Sequence, residues 1–381
     1  MTMRNLENIT IHQFRGLKDL ELKNLGQINL LVGINNSGKT SVLEALSIYC
    51  DPLDLKNWLS IARKREEFFS SSRTPPLDAL KWLFDKETFQ TGTIVISGDG
   101  KFANERMKAV YEEIEEILFG RATKPMVFMN EQINEDDEEQ INEDGDGLEI
   151  RKGLKLRVEL HEFDNKYPDV VEEYQLWDND FRLSGKSTKR EDKLPVSMVT
   201  PTSHRSNIGQ IRLLSEARFH DFKTEVLDLI RQMDNNILDI EILLSPESTS
   251  SRFNMYIQHK KLGLVPVVSF GDGVRRLLHI ALKLASVKGG VLLIDELEST
   301  IHTDALQNSF QWLAKWCKEM NVQLFATTHS LEAVDALLVA NESASDLVLY
   351  RLEPQETQTR VVRHDWSRLK RLRDNLGREV R

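Results

Sequence analysis

Apolar and polar positions alternate differently in three stretches of the chain: an opening hairpin, a mixed middle and a regular closing part. From Ile9 to Leu22 apolar residues recur at close to every second position around Arg15-Gly16, the period of two half-buried strands joined by a tight turn. The apolar run Ile28-Asn29-Leu30-Leu31-Val32 then leads through Gly33-Ile34-Asn35-Asn36-Ser37-Gly38-Lys39-Thr40 into a helical pattern from Ser41. Residues 54–90 read as helical with a break at Pro75-Pro76, and the pattern places Trp58, Ile61, Phe68, Leu80, Trp82 and Leu83 in a core. Residues 93–96 read as a strand, 102–119 as an amphipathic helix and 125–129 as another strand.

Strand-like segments follow at 154–163, 170–177 and 195–199, expected to form a sheet inserted between the glycine loop and the rest of the core. Residues 208–219 and 223–237 read as helices, and 238–244 and 264–268 as strands. From Ser269 the order is regular: helix to about 287, strand 291–294, helix to about 320, strand 322–327, helix 331–339 and strand 347–350. Alternation of this kind predicts a parallel sheet with helices on both faces.

Composition changes this picture at two places. The net charge is −10, but residues 131–146 hold nine acidic side chains and no Lys or Arg, and so carry nearly all of it. Within that run Gln132-Ile133-Asn134-Glu135-Asp136 recurs as Gln140-Ile141-Asn142-Glu143-Asp144, a tandem repeat too charged to bury surface and expected to be a mobile loop. Asn142, Asp144, Asp146 and Gly147 match the start of a calcium loop, but its twelfth place is Gly153 rather than Glu, which argues against calcium. At the other extreme, residues 363–381 carry seven Arg or Lys against three acids, a basic segment that reads either as a solvated terminal helix or as a DNA-facing surface. No apolar run approaches the roughly 20 residues of a membrane span, and Met1 to Glu7 lack the apolar stretch of a secretory signal, so cytoplasmic residence is expected. Cys50 and Cys317 read as buried, inert thiols.

The stretch from Gly33 to Thr40, closing a strand and opening a helix, has the form of a phosphate-binding loop. Backbone N–H groups of Gly33, Asn35, Asn36, Ser37, Gly38 and Ser41 would converge on a nucleotide's phosphates, Lys39 would reach the β and γ phosphates, and Thr40 would ligate Mg²⁺. Val291-Leu292-Leu293-Ile294-Asp295-Glu296 reads as a Walker B strand: Asp295 would join the Mg²⁺ shell and Glu296 would orient and deprotonate the attacking water. Thirty-three residues after Glu296, His329 ends the next strand, where it can sense the γ phosphate. Ser269-Phe270-Gly271-Asp272-Gly273 opens a further helix and is a second anion-binding end. Two phosphate-binding ends of different design in one chain suggest a two-fold dimer, with ATP on one copy's loop closed by Ser269, Gly271 and Gly273 of the other.

In this order the motifs resemble those of ABC-type ATPases of the SMC, RecF and OLD (overcoming lysogenization defect) group, most closely the stand-alone OLD-like ATPases, over residues 9–50 and 264–350. The resemblance implies an α/β P-loop NTPase of ABC-ATPase type, a mixed sheet with flanking helices plus an inserted α+β subdomain. The expected division is an N-terminal ATPase lobe at 1–53, an insertion at 54–235 holding the acidic loop 131–147, a C-terminal lobe at 236–352 and the basic segment 353–381. It places Lys39, Thr40, Asp295, Glu296 and His329 on the family's ATPase positions and Ser269 with Gly271 on its signature, while Arg15 matches a residue that in relatives approaches nucleotide or DNA. The signature departs from Leu-Ser-Gly-Gly-Gln, and Gln90 is only a weak candidate for the Q-loop glutamine. Missing heptads argue against a coiled-coil arm, and about 30 residues after Tyr350 are too few for a Toprim nuclease domain. The implied function is a Mg²⁺-dependent ATPase that dimerises or forms a higher homo-oligomer around ATP. It would control a separately encoded effector, a Toprim-like nuclease or toxin, in anti-phage defence of the PARIS type. The alternatives are a RecF-like or SMC-like DNA-binding repair ATPase and an ATP-binding scaffold that holds an effector inactive.

Overall fold

The computed structural model describes residues 4–66, 74–86, 90–101, 106–118, 149–161, 170–177, 194–206, 208–244, 253–341, 347–356, 358–375 and 379–380. The first part contains strands β1 (Asn8–Phe14), β2 (Leu17–Leu22) and β3 (Ile28–Val32), then helices α1 (Lys39–Cys50), α2 (Leu55–Arg63) and α3 (Pro76–Lys81). Strands β4 (Asp85–Lys86), β5 (Thr91–Asp99), β6 (Arg106–Leu118), β7 (Glu149–His161), β8 (Val170–Trp177) and β9 (Val196–Val199) follow. Helices α4 (Ile208–Phe219) and α5 (Lys223–Ile230) precede β10 (Ile237–Leu244), β11 (Phe253–His259) and β12 (Gly263–Pro266). The closing part runs α6 (Asp272–Ser286), β13 (Val291–Ile294), α7 (Thr303–Glu319), β14 (Gln323–Thr327), α8 (Leu331–Ala340), β15 (Leu347–Pro354), β16 (Thr359–Asp365) and α9 (Trp366–Lys370).

Six strands form the core sheet in the order β16-β15-β3-β14-β13-β9, parallel throughout except for the antiparallel edge strand β16. Its strands are apolar at consecutive positions because both faces are covered. Leu30, Val32, Leu292, Ile294, Leu324 and Ala326 point into a core shared with α5 to α8. Leu31, Leu293, Phe325, Val348 and Tyr350 point into a second core shared with α1 to α3 and an antiparallel sheet, β2-β1-β5-β6-β7-β8 with β4 on β5. Helix α1 lies between the two sheets, and every residue from Val42 to Cys50 is buried, so apart from Glu44 and Ser47 this stretch is apolar all round rather than striped. The result is an α/β, P-loop NTPase architecture with a mixed sheet and flanking helices.

Several expectations change. Residues 106–118 are a strand rather than part of a helix over 102–119. Met107, Ala109 and Tyr111 are buried at a period of two, and thirteen register pairs with β7 satisfy a backbone whose Glu-rich sequence would also suit a helix. The segment 195–199 does not join an inserted sheet, because β9 pairs in parallel with β13 in the core. Strands β5 to β8 instead continue the β1-β2 hairpin as one sheet. The helix read at 223–237 ends at Ile230, and two strands go unread in the sequence: β16 lacks a clean alternation, whereas β11 buries Met255, Ile257 and His259 at a period of two. Trp82, expected in the core, is 62% exposed, whereas Trp58 is fully buried against Phe84. Phe68, the strand at 125–129, the acidic repeat at 131–147 and its calcium-loop match lie outside the described residues.

Both thiols are buried, and burial raises their pKa, which keeps them protonated and unreactive. Among the described residues no helix is long and apolar enough to cross a membrane, and no group of His, Cys, Asp or Glu side chains is arranged to hold a metal ion by itself.

One buried histidine gives the fold a pH dependence. His279 on α6 is 5% exposed and neither ring nitrogen has a hydrogen-bond partner. Burial pushes its pKa down to about 3, helped by the charges of Lys283, His204, Arg276 and Lys64. The unfolded chain binds a proton near pH 6.5 and the folded chain does not until about pH 3. Stability from this site is therefore complete above pH 6.5 and lost as pH falls through that window, by up to about 1.4 kcal/mol per pH unit. His279→Met is expected to flatten this part of the acid limb in urea midpoints measured against pH. An unchanged slope would place the dependence elsewhere.

Candidate functional site

Strand β14 lies between β3 and β13, so three neighbouring carboxyl ends meet at one edge of the core sheet. β3 delivers the glycine loop and α1, β13 delivers Asp295 and Glu296, and β14 delivers His329. Asn35, Asn36, Ser37, Gly38, Lys39, Thr40, Ser41, Asp295, Glu296 and His329 all line a single cavity of about 810 Å³. Also lining it, unmarked by any motif, are Glu44, Lys64, Arg65, Met198 and Thr200 to Thr202. The signal that could have found Thr200 to Thr202 is their place just after an apolar strand that turns out to neighbour β13.

Two glycines are required by the loop's shape. Gly33 has φ +148°, and a Cβ there would fall 2.6 Å from the Leu352 carbonyl oxygen. Gly38 has φ +91° and a Cβ would lie 2.6 Å from Leu17 of the hairpin, which ties the loop to the opening strands. Gly38 is also the N-cap of α1 and no side chain caps that end, so its first N–H groups remain available to an anion. Lys39 is buried and donates to the carbonyls of Gly33 and Ile34, both at 2.8 Å. Burial lowers its pKa, while Asp295 and Glu296 pull the other way. The loop is thus held in a phosphate-receiving shape by the lysine that would leave those carbonyls for phosphate.

Asp295 is the centre of a hard-oxygen cluster. Thr40 donates to its two carboxylate oxygens at 3.2 and 3.0 Å, and Thr327 donates to one at 2.6 Å. A hydroxyl and a carboxylate side by side are the donor set that Mg²⁺ takes when phosphate oxygens and waters complete its octahedron, so the residues fit the ion the motif implies.

Glu296 is exposed and adopts φ 49°, a left-handed conformation uncommon outside glycine. Its main chain is held at both ends: its N–H donates to Thr327 Oγ1 at 2.8 Å, and its carbonyl accepts from Arg276 at 2.7 Å and from the Ser299 N–H at 3.0 Å. The carboxylate therefore projects into the cavity from a fixed base. The exposed His329 is positioned through its backbone N–H, which donates to Glu298 at 2.9 Å.

Arg15 is not on the cavity wall. It occupies the hairpin turn with φ 51° and pairs with Glu44 at 2.8 Å, one turn into α1 from Thr40. Burial lowers its pKa, with Glu44 opposing. Arg65, in the 3-10 turn just after α2, forks onto the same carboxylate at 2.9 and 2.7 Å and also donates to Ser41. Glu44 is 1% exposed, so Glu44→Gln would leave the part-buried Arg15 without a counter-charge. It is expected to cost about 2–4 kcal/mol in urea unfolding, against under about 1 kcal/mol if the pair behaved like a surface one.

Ser269, Gly271 and Gly273 do not reach this cavity. Ser269 and Gly271 are exposed, and Gly271 caps α6 without any side-chain hydrogen bond. A Cβ on Gly271 would meet nothing within 4 Å, whereas one on Gly273 would fall 3.0 Å from the Thr300 carbonyl oxygen. Gln90 is also absent from the cavity wall; its carbonyl accepts from the Glu113 N–H. In the basic end, Arg363 donates to the Asn24 carbonyl and Arg373 forks onto Asp335, so two of its charges serve the fold.

The model of the family described as "AAA domain, putative AbiEii toxin, Type IV TA system" matches residues 28–335. A Helicobacter pylori protein named ATP/GTP phosphatase is 24% identical over 349 residues, 87% of either chain. An uncharacterized protein of Methanocaldococcus jannaschii is 34% identical over 113 residues, 29% of this chain and 98% of that one. Among solved structures, an Smc head bound to the C-winged helix domain of ScpA matches 94% of this chain and 98% of its own, at TM-score 0.45 and 13% identity. The SMC head domain from Thermotoga maritima matches 95% and 98%, at TM-score 0.37 and 12% identity.

Proposed function

The chain belongs to the AAA-domain family described as putative AbiEii toxin, type IV TA system, and is an ATPase; from that premise we propose that two copies close around ATP, hydrolyse it, and by doing so control a separately encoded effector. One observation carries the two-copy reading. The phosphate loop, Asp295, Glu296 and His329 share a cavity, while Ser269 and Gly271 stand exposed outside it at an uncapped helix end.

In this mechanism the N–H groups of the loop and of the first turn of α1 receive the phosphates, and Lys39 exchanges the Gly33 and Ile34 carbonyls for the β and γ phosphate oxygens. Thr40 and Asp295 would hold Mg²⁺, which when bound would supply charge neutralisation at the phosphates. Glu296 accepts a proton from water as the water oxygen bonds to the γ phosphorus; the bond to the β–γ bridging oxygen breaks and ADP leaves with that oxygen. His329 donates to the γ phosphate. Arg65, released from Glu44, adds positive charge near Ser41. The partner copy supplies the α6 end, whose partial positive charge and free N–H groups complete the phosphate shell.

The effector half of the proposal is supported by the resemblance to stand-alone OLD-like ATPases of the PARIS type, and the family description, "putative AbiEii toxin, Type IV TA system", sets the family in a toxin system. A Toprim-like nuclease or a toxin is the effector class. Its test is co-expression with the product of the adjacent reading frame: growth arrest or DNA cleavage is expected to depend on Glu296, and independence from Glu296 would remove this half.

Gly271→Phe tests the two-copy half. Gly271 has φ −60° and open space around it, so a phenyl group fits a single chain without strain. Wild-type thermal stability and ATP affinity are expected, with turnover lowered by about 10²-fold or more because the ring blocks the approach of a second copy's nucleotide. Wild-type turnover in Gly271→Phe would rule that reading out.

A further inference from the structure

The signature helix does more than present its end. Arg276 lies five residues along the chain from Gly271, and its side chain is completely buried, among the largest side chains wholly removed from solvent. Among the described residues no carboxylate lies within ion-pair distance of it. Its guanidinium is spent on three main-chain carbonyls: Thr200 at 2.7 Å, Asp295 at 3.0 Å and Glu296 at 2.7 Å. Burial lowers its pKa to about 10, with Glu296 and Asp295 opposing, so the side chain stays charged at neutral pH.

These three carbonyls are not ordinary core acceptors. Two belong to the acids that end β13, and the third belongs to Thr200, the residue that carries β9 into the cavity wall. One side chain therefore cross-ties the turns after two neighbouring strands to the first half of α6. A buried charge whose only partners are carbonyls is costly to retain unless it fixes something, and what it fixes includes the left-handed backbone of Glu296. A second contact joins the same parts: the first turn of α6 packs closely on the segment after Glu296, so that a Cβ on Gly273 would lie a tight 3.0 Å from the Thr300 carbonyl oxygen and 2.8 Å from the flexible Met233 Cε.

We infer that Arg276 is a positioning residue that couples the exposed end of α6 to Glu296 of the same chain, so that engagement of a second copy's nucleotide at Gly271 sets the placement of this copy's water-activating carboxylate. The coupling half rests on the two-copy reading above; the positioning half does not. An α-helix transmits an axial shift along one and a half turns with little loss, and the fork of Arg276 passes it to the carbonyls of Asp295 and Glu296. Each of the two sites in a closed pair would thereby be informed of the nucleotide in the other.

The test compares Arg276→Met, which keeps length and loses charge, with Arg276→Lys, which keeps charge and loses the fork. Steady-state turnover is measured against both ATP and chain concentration, beside the affinity for a fluorescent ATP analogue. Affinity is expected within about threefold of wild type in both variants, because Arg276 is absent from the cavity wall. Turnover is expected to fall by about tenfold or more in Arg276→Met and by less in Arg276→Lys; the wild type is expected to depend sigmoidally on ATP and the variants hyperbolically. If Arg276→Met does not fold, Arg276→Lys decides. Wild-type turnover and wild-type ATP dependence in the folded variants would overturn the inference. Wild-type specific activity that does not change with chain concentration would instead overturn the two-copy reading and, with it, the coupling, leaving the loss of turnover as evidence for positioning alone.

Discussion

Glu296→Gln is expected to lower turnover by about 10²–10⁴-fold, the range set by losing a positioned general base, while ATP affinity stays within about twofold of wild type. Gln has the shape of Glu and can occupy the same backbone. The clamp from Thr327 and Arg276 acts on the main chain and not on the carboxylate, so φ 49° should persist. Loss of the base leaves Lys39, Thr40 and Asp295 untouched, so binding and hydrolysis should separate. Single-turnover hydrolysis alongside equilibrium binding of a fluorescent ATP analogue checks this. Hydrolysis at the parental rate would move the base to another residue.

Lys39→Ala is expected to act at the other step, weakening ATP binding by about 10²-fold or more, since a charged side chain that makes several phosphate contacts is worth about 3 kcal/mol. Two carbonyls that Lys39 now satisfies, those of Gly33 and Ile34, lose their donor, but Ile34 is exposed and water can replace it there. The thermal midpoint should therefore change little, which separates lost binding from lost structure. Titration of the nucleotide analogue gives the result directly. Near-wild-type affinity would mean that Lys39 stays with its loop carbonyls when nucleotide binds.

These effects concern the parts of the protein that are legible from local sequence. The loop from Gly33 to Thr40, the acids after Ile294 and His329 each follow a short apolar strand, and a buried parallel strand must deliver its next residues to one sheet edge. The pattern therefore indicated which residues share a wall. Where the outcome depends on partners distant in the chain, local pattern fails. Residues 106–118 suit a helix until β5 and β7 flank them, and Trp82 has an apolar side chain but sits where the chain turns outward. β9 looks like the last strand of an insertion and is instead the neighbour of β13, which is why Thr200 to Thr202 and their place on the cavity were invisible. Arg276 reads as one of two adjacent arginines on an amphipathic helix. Nothing in its neighbours announces that it is buried beneath Glu296. Arg15 shows the opposite limit: its motif was readable, but its side chain reaches the cavity only through Glu44.

Two copies sharing each nucleotide is the claim on which the mechanism stands, and the mass of Glu296→Gln in solution tests it most directly. Sedimentation equilibrium with Mg²⁺ and ATP should give twice the monomer mass for Glu296→Gln, because closure is reached and hydrolysis cannot release it. The monomer mass should return without nucleotide, and also with nucleotide in the double variant Glu296→Gln, Gly271→Phe. Glu296→Gln that binds ATP yet remains a monomer, or a pair that forms regardless of ATP and of residue 271, would contradict the composite site.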